Sequence, residues 1–230
     1  MKKTGGWKRV VLLFMVLVLP AVAYVLLQTG KNNYVQLPIL GEKSVTGEER
    51  KVRKKVVRDT TYHTIADFQL YNQDGKLVSQ EDLKNSIYIA NFFFATCPTI
   101  CPKMSTQMGR LNERFKKNED IKLVSFTVNP DADSIPVLKL YAKKYKAETP
   151  KWNFLTGDKQ QIYALARNSY LVNALKGDGG PNDFIHSEML ILIDKDKRIR
   201  GFYDGTSKEE TDKLINEIKV LIMEYLRKVK

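Results

Sequence analysis

"IYIANFFFATCPTICPKM", residues 87–104, contains both cysteines of this 230-residue chain, Cys97 and Cys101. Ile87–Ala95 is a near-continuous apolar and aromatic run, the pattern of a strand covered on both faces. After the cysteines, Met104, Met108, Leu111 and Phe115 recur at helical spacing, with Arg110, Glu113, Arg114 and Lys117 off that stripe. The cysteines therefore sit between a strand's C-terminal end and a helix, at the edge where open α/β sheets bind ligands. Pro102 suits the first helical position, which places Cys101 at or near the N-cap, where the helix dipole favours thiolate. Three readings follow for the pair: a structural disulfide, a redox dithiol, or part of a soft-metal site. A bridge across so short a loop stabilises by only about 2 kcal/mol or less, which favours chemistry over structure.

The flanking segments repeat the alternation. "FQLYNQDGKLV" places two apolar runs about Asp74-Gly75, a hairpin signal. Ile121–Val128 reads as a second strand, and Val137, Leu138, Tyr141 and Tyr145 mark the inner side of a second helix. "WNFL" is extended, and Asp158 can cap a helix through Ala166. A glycine-rich loop then leads to the strand Met189–Asp194, a turn, and a last helix opened by Ser207 with Glu210 at capping-box spacing. The sum is an α/β sheet with helices on both faces.

Upstream lies a different composition. Lys2, Lys3, Lys8 and Arg9 precede Val10–Leu27, eighteen residues without a charge. That is about enough to span a bilayer as a helix. The basic flank stays cytoplasmic and the remainder faces outward. Ala21-Val22-Ala23 resembles a signal-peptidase site, but apolar character continues past it, which favours an uncleaved anchor. No cysteine near the end of the segment offers a lipoprotein anchor. The expected layout is a cytoplasmic basic tail (1–9), a transmembrane anchor (10–27), a polar tether (28–61) and a globular domain (62–230). The expectation is a single-pass protein of the cell's inner (cytoplasmic) membrane, with its C-terminal domain on the periplasmic or extracytoplasmic side. The net charge of +12 comes with no zinc-finger spacing or RNA-binding aromatic motif, so a nucleic-acid partner is not expected.

A metal site needs a third ligand, and the chain has two histidines. His63 stands at the entrance to the globular part, where an exposed or capping role is expected. His186 ends the glycine-rich loop just before Met189–Asp194. If that strand lay parallel beside Ile87–Phe94, its loop would face the cysteines. Met104 and Met108 share the spacing of Leu111 and Phe115, so they are read as core. "DGTSKE" and "GDGG" lack the context of phosphate-binding loops.

"FFFATCPTICPKM", "FTVNPDADS", "FLTGD" and "FIHSEMLILIDKDKRIRGFYDG" together resemble the Sco (SenC) family of membrane-anchored copper proteins, over about Tyr62–Lys230. The resemblance implies a thioredoxin-like fold with an N-terminal β-hairpin, and one copper held by Cys97, Cys101 and His186. Cu(I) suits these ligands, and Cu(II) would take a fourth that the sequence does not name. It also implies a role as metallochaperone or assembly factor for the binuclear copper site of cytochrome c oxidase subunit II or a similar client; the copper donor is not identified. His186-Ser187 stands where thioredoxin-like oxidoreductases carry a cis-proline, which favours metal binding over general disulfide exchange. The alternative is a membrane-anchored thiol–disulfide oxidoreductase, with Cys97 attacking and Cys101 resolving. A peroxidase reading is weaker, because the Pro-x-x-x-Thr-x-x-Cys pattern is missing. Two positions depart from the family: Asn129 follows Val128 where aspartate is common, and Ile185 precedes His186, with Asp183 nearby.

Overall fold

In a computed structural model, the described residues are 5–29, 36–52, 55–172 and 187–228. They fall into two units, Met1–Val35 and Gln36–Lys230. The first holds helix α1, Gly5–Thr29, with Pro20 inside it. Its backbone is helical through the whole uncharged run. Among the described residues no helix is long and apolar enough to cross a membrane. The side chains of residues 9, 10, 23 and 25–29 lie outside that description, so a membrane span stays a reading of the sequence.

The second unit is built on a seven-stranded mixed sheet of order β4-β3-β7-β6-β5-β8-β9. Its strands are β3 (Gln69–Asn72), β4 (Leu77–Ser79), β5 (Ile87–Phe93), β6 (Ile121–Thr127), β7 (Trp152–Thr156), β8 (Met189–Ile193) and β9 (Ile199–Asp204). β5, β6 and β7 are parallel, joined through α2 (Ile100–Arg114) and α3 (Ile135–Lys144). Every residue of β5 is buried, as an apolar run between two helical layers requires. Met104, Met108 and Leu111 of α2 are fully buried with Leu138, Leu214 and Ile218 on one face of the sheet. Phe68, Phe92, Phe126, Ile162 and Tyr170 fill the other.

The expected hairpin is β3–β4, with Gly75 at φ 72° in its turn. Asp158 caps α4 (Lys159–Ala164) by accepting the Gln161 N–H at 2.7 Å. α5 (Lys208–Lys228) opens with the Glu210 N–H donating to Ser207 Oγ at 3.2 Å.

Two expectations change. The compact unit begins at Gln36 rather than at residue 62. Leu37 is buried, the Leu40 N–H donates to Ile199 O at 2.9 Å, and Lys43–Val52 (β1) pairs antiparallel with Lys55–Tyr62 (β2) as a separate ribbon. A polar composition suggested a tether, but the few apolar residues of "QLPIL" are enough to dock its end. Second, β8 runs antiparallel to β5, with Tyr88 opposite Ile193 and Ala90 opposite Ile191. The reversal is what brings the start of β8 to the end of β5; a parallel strand would have put it at the opposite edge.

Candidate functional site

β5 carries the chain to the sheet edge, where the Cys97 N–H donates to Phe94 O at 3.2 Å and closes a turn. α2 starts at Ile100 with Thr99 as N-cap. Cys101 and Pro102 lie inside the first helical turn: Cys101 is near the N-cap, as expected, whereas Pro102 stands two places past the first helical position. Proline is tolerated there because first-turn N–H groups have no intrahelical acceptor. The Thr99 side chain makes no capping bond. A sulfur does that work instead: the Cys101 N–H points at Cys97 Sγ, 3.5 Å away.

Both cysteines are free. Cys97 is half-buried, while Cys101 is 5% exposed. Their acidities diverge accordingly. Burial opposes ionisation of Cys97, but backbone N–H groups of Cys101, Thr99 and Ile100 and the Cys101 thiol together outweigh it, and its pKa falls below the usual thiol value. Burial pushes Cys101 up to about 12, reinforced by Cys97 and by the nearby Asp133 carboxylate. The pair is thus one accessible sulfur inclined to ionise above one withdrawn sulfur that holds its proton. A metal or an oxidant that engages the second sulfur must displace that proton.

The other candidates separate cleanly. Met104 and Met108 are core residues, as their spacing indicated. The His63 ring Nε2 lies 2.7 Å from Ser169 O, so that histidine is engaged with backbone. His186 lies outside the described residues. The chain is described again from Ser187, at the β8 end beside the dithiol edge. Among the described residues no group of three or more His, Cys, Asp or Glu side chains could hold a metal ion.

The residue the sequence reading passed over is Asp133. It is fully buried, and its Oδ2 accepts the Ala95 N–H at 3.0 Å and the Thr127 hydroxyl. The departures from family aspartates at Asn129 and Ile185, with Asp183 nearby, did not point to it. The signal available was the second acid of "NPDAD", directly before a helix that opens with Ser134 and Pro136.

Known proteins share this sequence pattern and fold. The SCO1/SenC family profile matches residues 57–223. The SCO1 protein homolog of Bacillus subtilis (strain 168) is 33% identical over 165 residues, covering 71% of this chain and 85% of that protein. Among solved structures, BsSco, described as a member of the Sco family of cytochrome c oxidase assembly proteins with a disulfide switch, superposes with a TM-score of 0.59. It is 32% identical, over 69% of this chain and 93% of its own. Arabidopsis thaliana ScoI, solved with copper bound, gives 0.54 at 29% identity, over 67% of this chain and 97% of its own. A family match over most of the compact unit, together with this fold and dithiol turn, makes the chain a member of the SCO1/SenC family.

Proposed function

We propose that this protein is a membrane-anchored copper metallochaperone or assembly factor that helps mature the binuclear copper site of cytochrome c oxidase. Copper is its cargo, held by the Cys97 and Cys101 thiolates and the His186 imidazole. Two soft sulfur donors and one imidazole suit Cu(I) in a three-coordinate site, which leaves one side open for ligand exchange with a client such as subunit II. The observation that carries this reading is the unbridged pair at the sheet edge, with Cys97 Sγ already accepting a first-turn N–H. The residues present fit the ion: the donors are soft, adjacent and protected on the Cys101 side by core. The membrane anchor is α1, on the strength of the uncharged run Val10–Leu27. The domain then sits on the extracytoplasmic side.

The test is anaerobic titration of the reduced domain with Cu(I). Binding of one copper per chain with thiolate-to-copper absorption is expected. Either Cys→Ser change should nearly abolish it, and His186→Ala should weaken retention strongly. Retention by His186→Ala equal to wild type, with efficient disulfide reduction by the same domain, would sink the copper reading.

A second reading has its own support. The split acidity of the pair, with Cys97 lowered and Cys101 at about 12, suits a nucleophilic thiol and a resolving thiol. The protein would then reduce a client disulfide. The Cys97 thiolate breaks it, forming a mixed disulfide and releasing one client thiolate, and Cys101 attacks Cys97 Sγ, releasing the second and leaving a Cys97–Cys101 disulfide.

A further inference from the structure

Asp133 is the one described side chain with a buried polar atom that has no hydrogen-bond partner, its Oδ1. Both its bonds converge on Oδ2, from the Ala95 N–H and the Thr127 hydroxyl, while Thr127 Oγ1 in turn accepts the Asn129 N–H at 3.0 Å. Alongside, the Val128 N–H donates to Phe93 O at 2.8 Å. These contacts tie the exits of β5 and β6 together, and the bond from Ala95 to Asp133 grips the chain two residues before Cys97. A buried carboxylate with one oxygen unpaired costs stability. Its burial accordingly raises its own pKa. Core packing alone would be served as well by a group without that cost, so the explanation belongs to what Ala95 supports.

We propose that Asp133 is a positioning residue for the dithiol. By holding Ala95 it fixes the Phe94–Cys97 turn, and so keeps Cys97 Sγ against the first turn of α2. Without that grip the turn relaxes, the two sulfurs approach more easily, and the disulfide gains on the dithiol. Asn129, at the position where an acid was sought, contributes its backbone N–H to the same relay. The effect on the thiol equilibrium stands independently of any metal; the effect on copper rests on the copper reading above.

The experiment uses Asp133→Ala, Asp133→Asn and Thr127→Val in the full chain. Each is equilibrated, metal-free, with mixtures of reduced and oxidised dithiothreitol, and the dithiol fraction is read by alkylation and mass. Oxidation of Cys97 and Cys101 to the disulfide is balanced by reduction of oxidised dithiothreitol. Asp133→Ala should shift the equilibrium several-fold toward the disulfide. Asp133→Asn should return close to wild type, since one amide oxygen can accept both donors that now share Oδ2. Thr127→Val, which leaves Ala95 held, should shift it in the same direction by less, and it keeps the idea testable if Asp133→Ala does not fold. In Cu(I) competition, Asp133→Ala should retain copper roughly tenfold less well than wild type. A folded Asp133→Ala, or a Thr127→Val, with a wild-type thiol equilibrium overturns the proposal, as does Asp133→Asn behaving like Asp133→Ala. If the thiol equilibrium shifts as expected but wild type binds no copper, the copper reading fails and the positioning role stands.

Discussion

The Cys101 N–H lies 3.5 Å from Cys97 Sγ, so the first turn of α2 is capped by the sulfur of the residue four positions earlier. That contact, with the N–H groups of Thr99 and Ile100, helps hold the Cys97 thiol below the usual value, while burial pushes Cys101 up.

Iodoacetamide should therefore modify Cys97 selectively. Its rate should rise with pH to a midpoint below that of an ordinary cysteine, whereas Cys101 should stay unmodified until about pH 12. Peptide mass spectrometry after brief labelling at neutral pH distinguishes the sites. Equal labelling of both would contradict the asymmetry.

Arg200 is buried at the edge of the domain with Asp194 at 3.0 Å and Glu224 at 2.8 Å, and it donates to Leu37 O and Pro38 O. Replacing it by Met leaves two buried carboxylates without their cation, at a cost of about 3–5 kcal/mol. Urea unfolding should show the loss. Limited proteolysis should cut near residues 36–42 in the variant before it does so in wild type, because the arginine holds that segment.

Asp204 accepts the Thr206 hydroxyl and N–H, and Asp82 accepts the Ser79 N–H and hydroxyl, which hold both carboxyls below the usual range. A depressed folded-state pKa contributes stability above the unfolded value, and that contribution disappears as pH falls through the folded one. Asp204→Asn should thus melt below wild type at pH 7. The gap should close as the pH drops below about 4. A gap of constant size down to pH 2 would rule out ionisation as its cause.

A chain expressed with residues 1–35 should sediment with membranes and resist alkaline carbonate extraction, and one beginning at Gln36 should stay in the supernatant. Release of the longer chain by carbonate would count against α1 as an anchor. The shorter chain keeps Leu37 and the Arg200 contacts, so it should retain the stability of the domain.

Much of the fold is legible from periodicity. β5, the apolar stripe of α2, the Asp74-Gly75 hairpin and the caps at Asp158 and Ser207 all stand where residue types placed them. Each is a local signal, carried by residues a few positions apart. The start of the domain was less legible, because Leu37, Pro38 and Leu40 are tied to Ile199, Arg200 and Glu224 across more than 150 positions of sequence. Asp133 was hidden for the same reason: its partner Ala95 is 38 residues away.

The sequence by itself determined the alternation of strands and helices, the pairing of two cysteines at a strand-to-helix turn, and the family to which those motifs point. These follow from spacing, which the chain carries in one dimension. Only the tertiary structure decided that β8 runs against β5, that a sulfur rather than Thr99 caps α2, and that one thiol is withdrawn while the other is poised to ionise. Strand direction, burial and the approach of a distant carboxylate depend on which surfaces meet once the core closes, and no local pattern of residues records that.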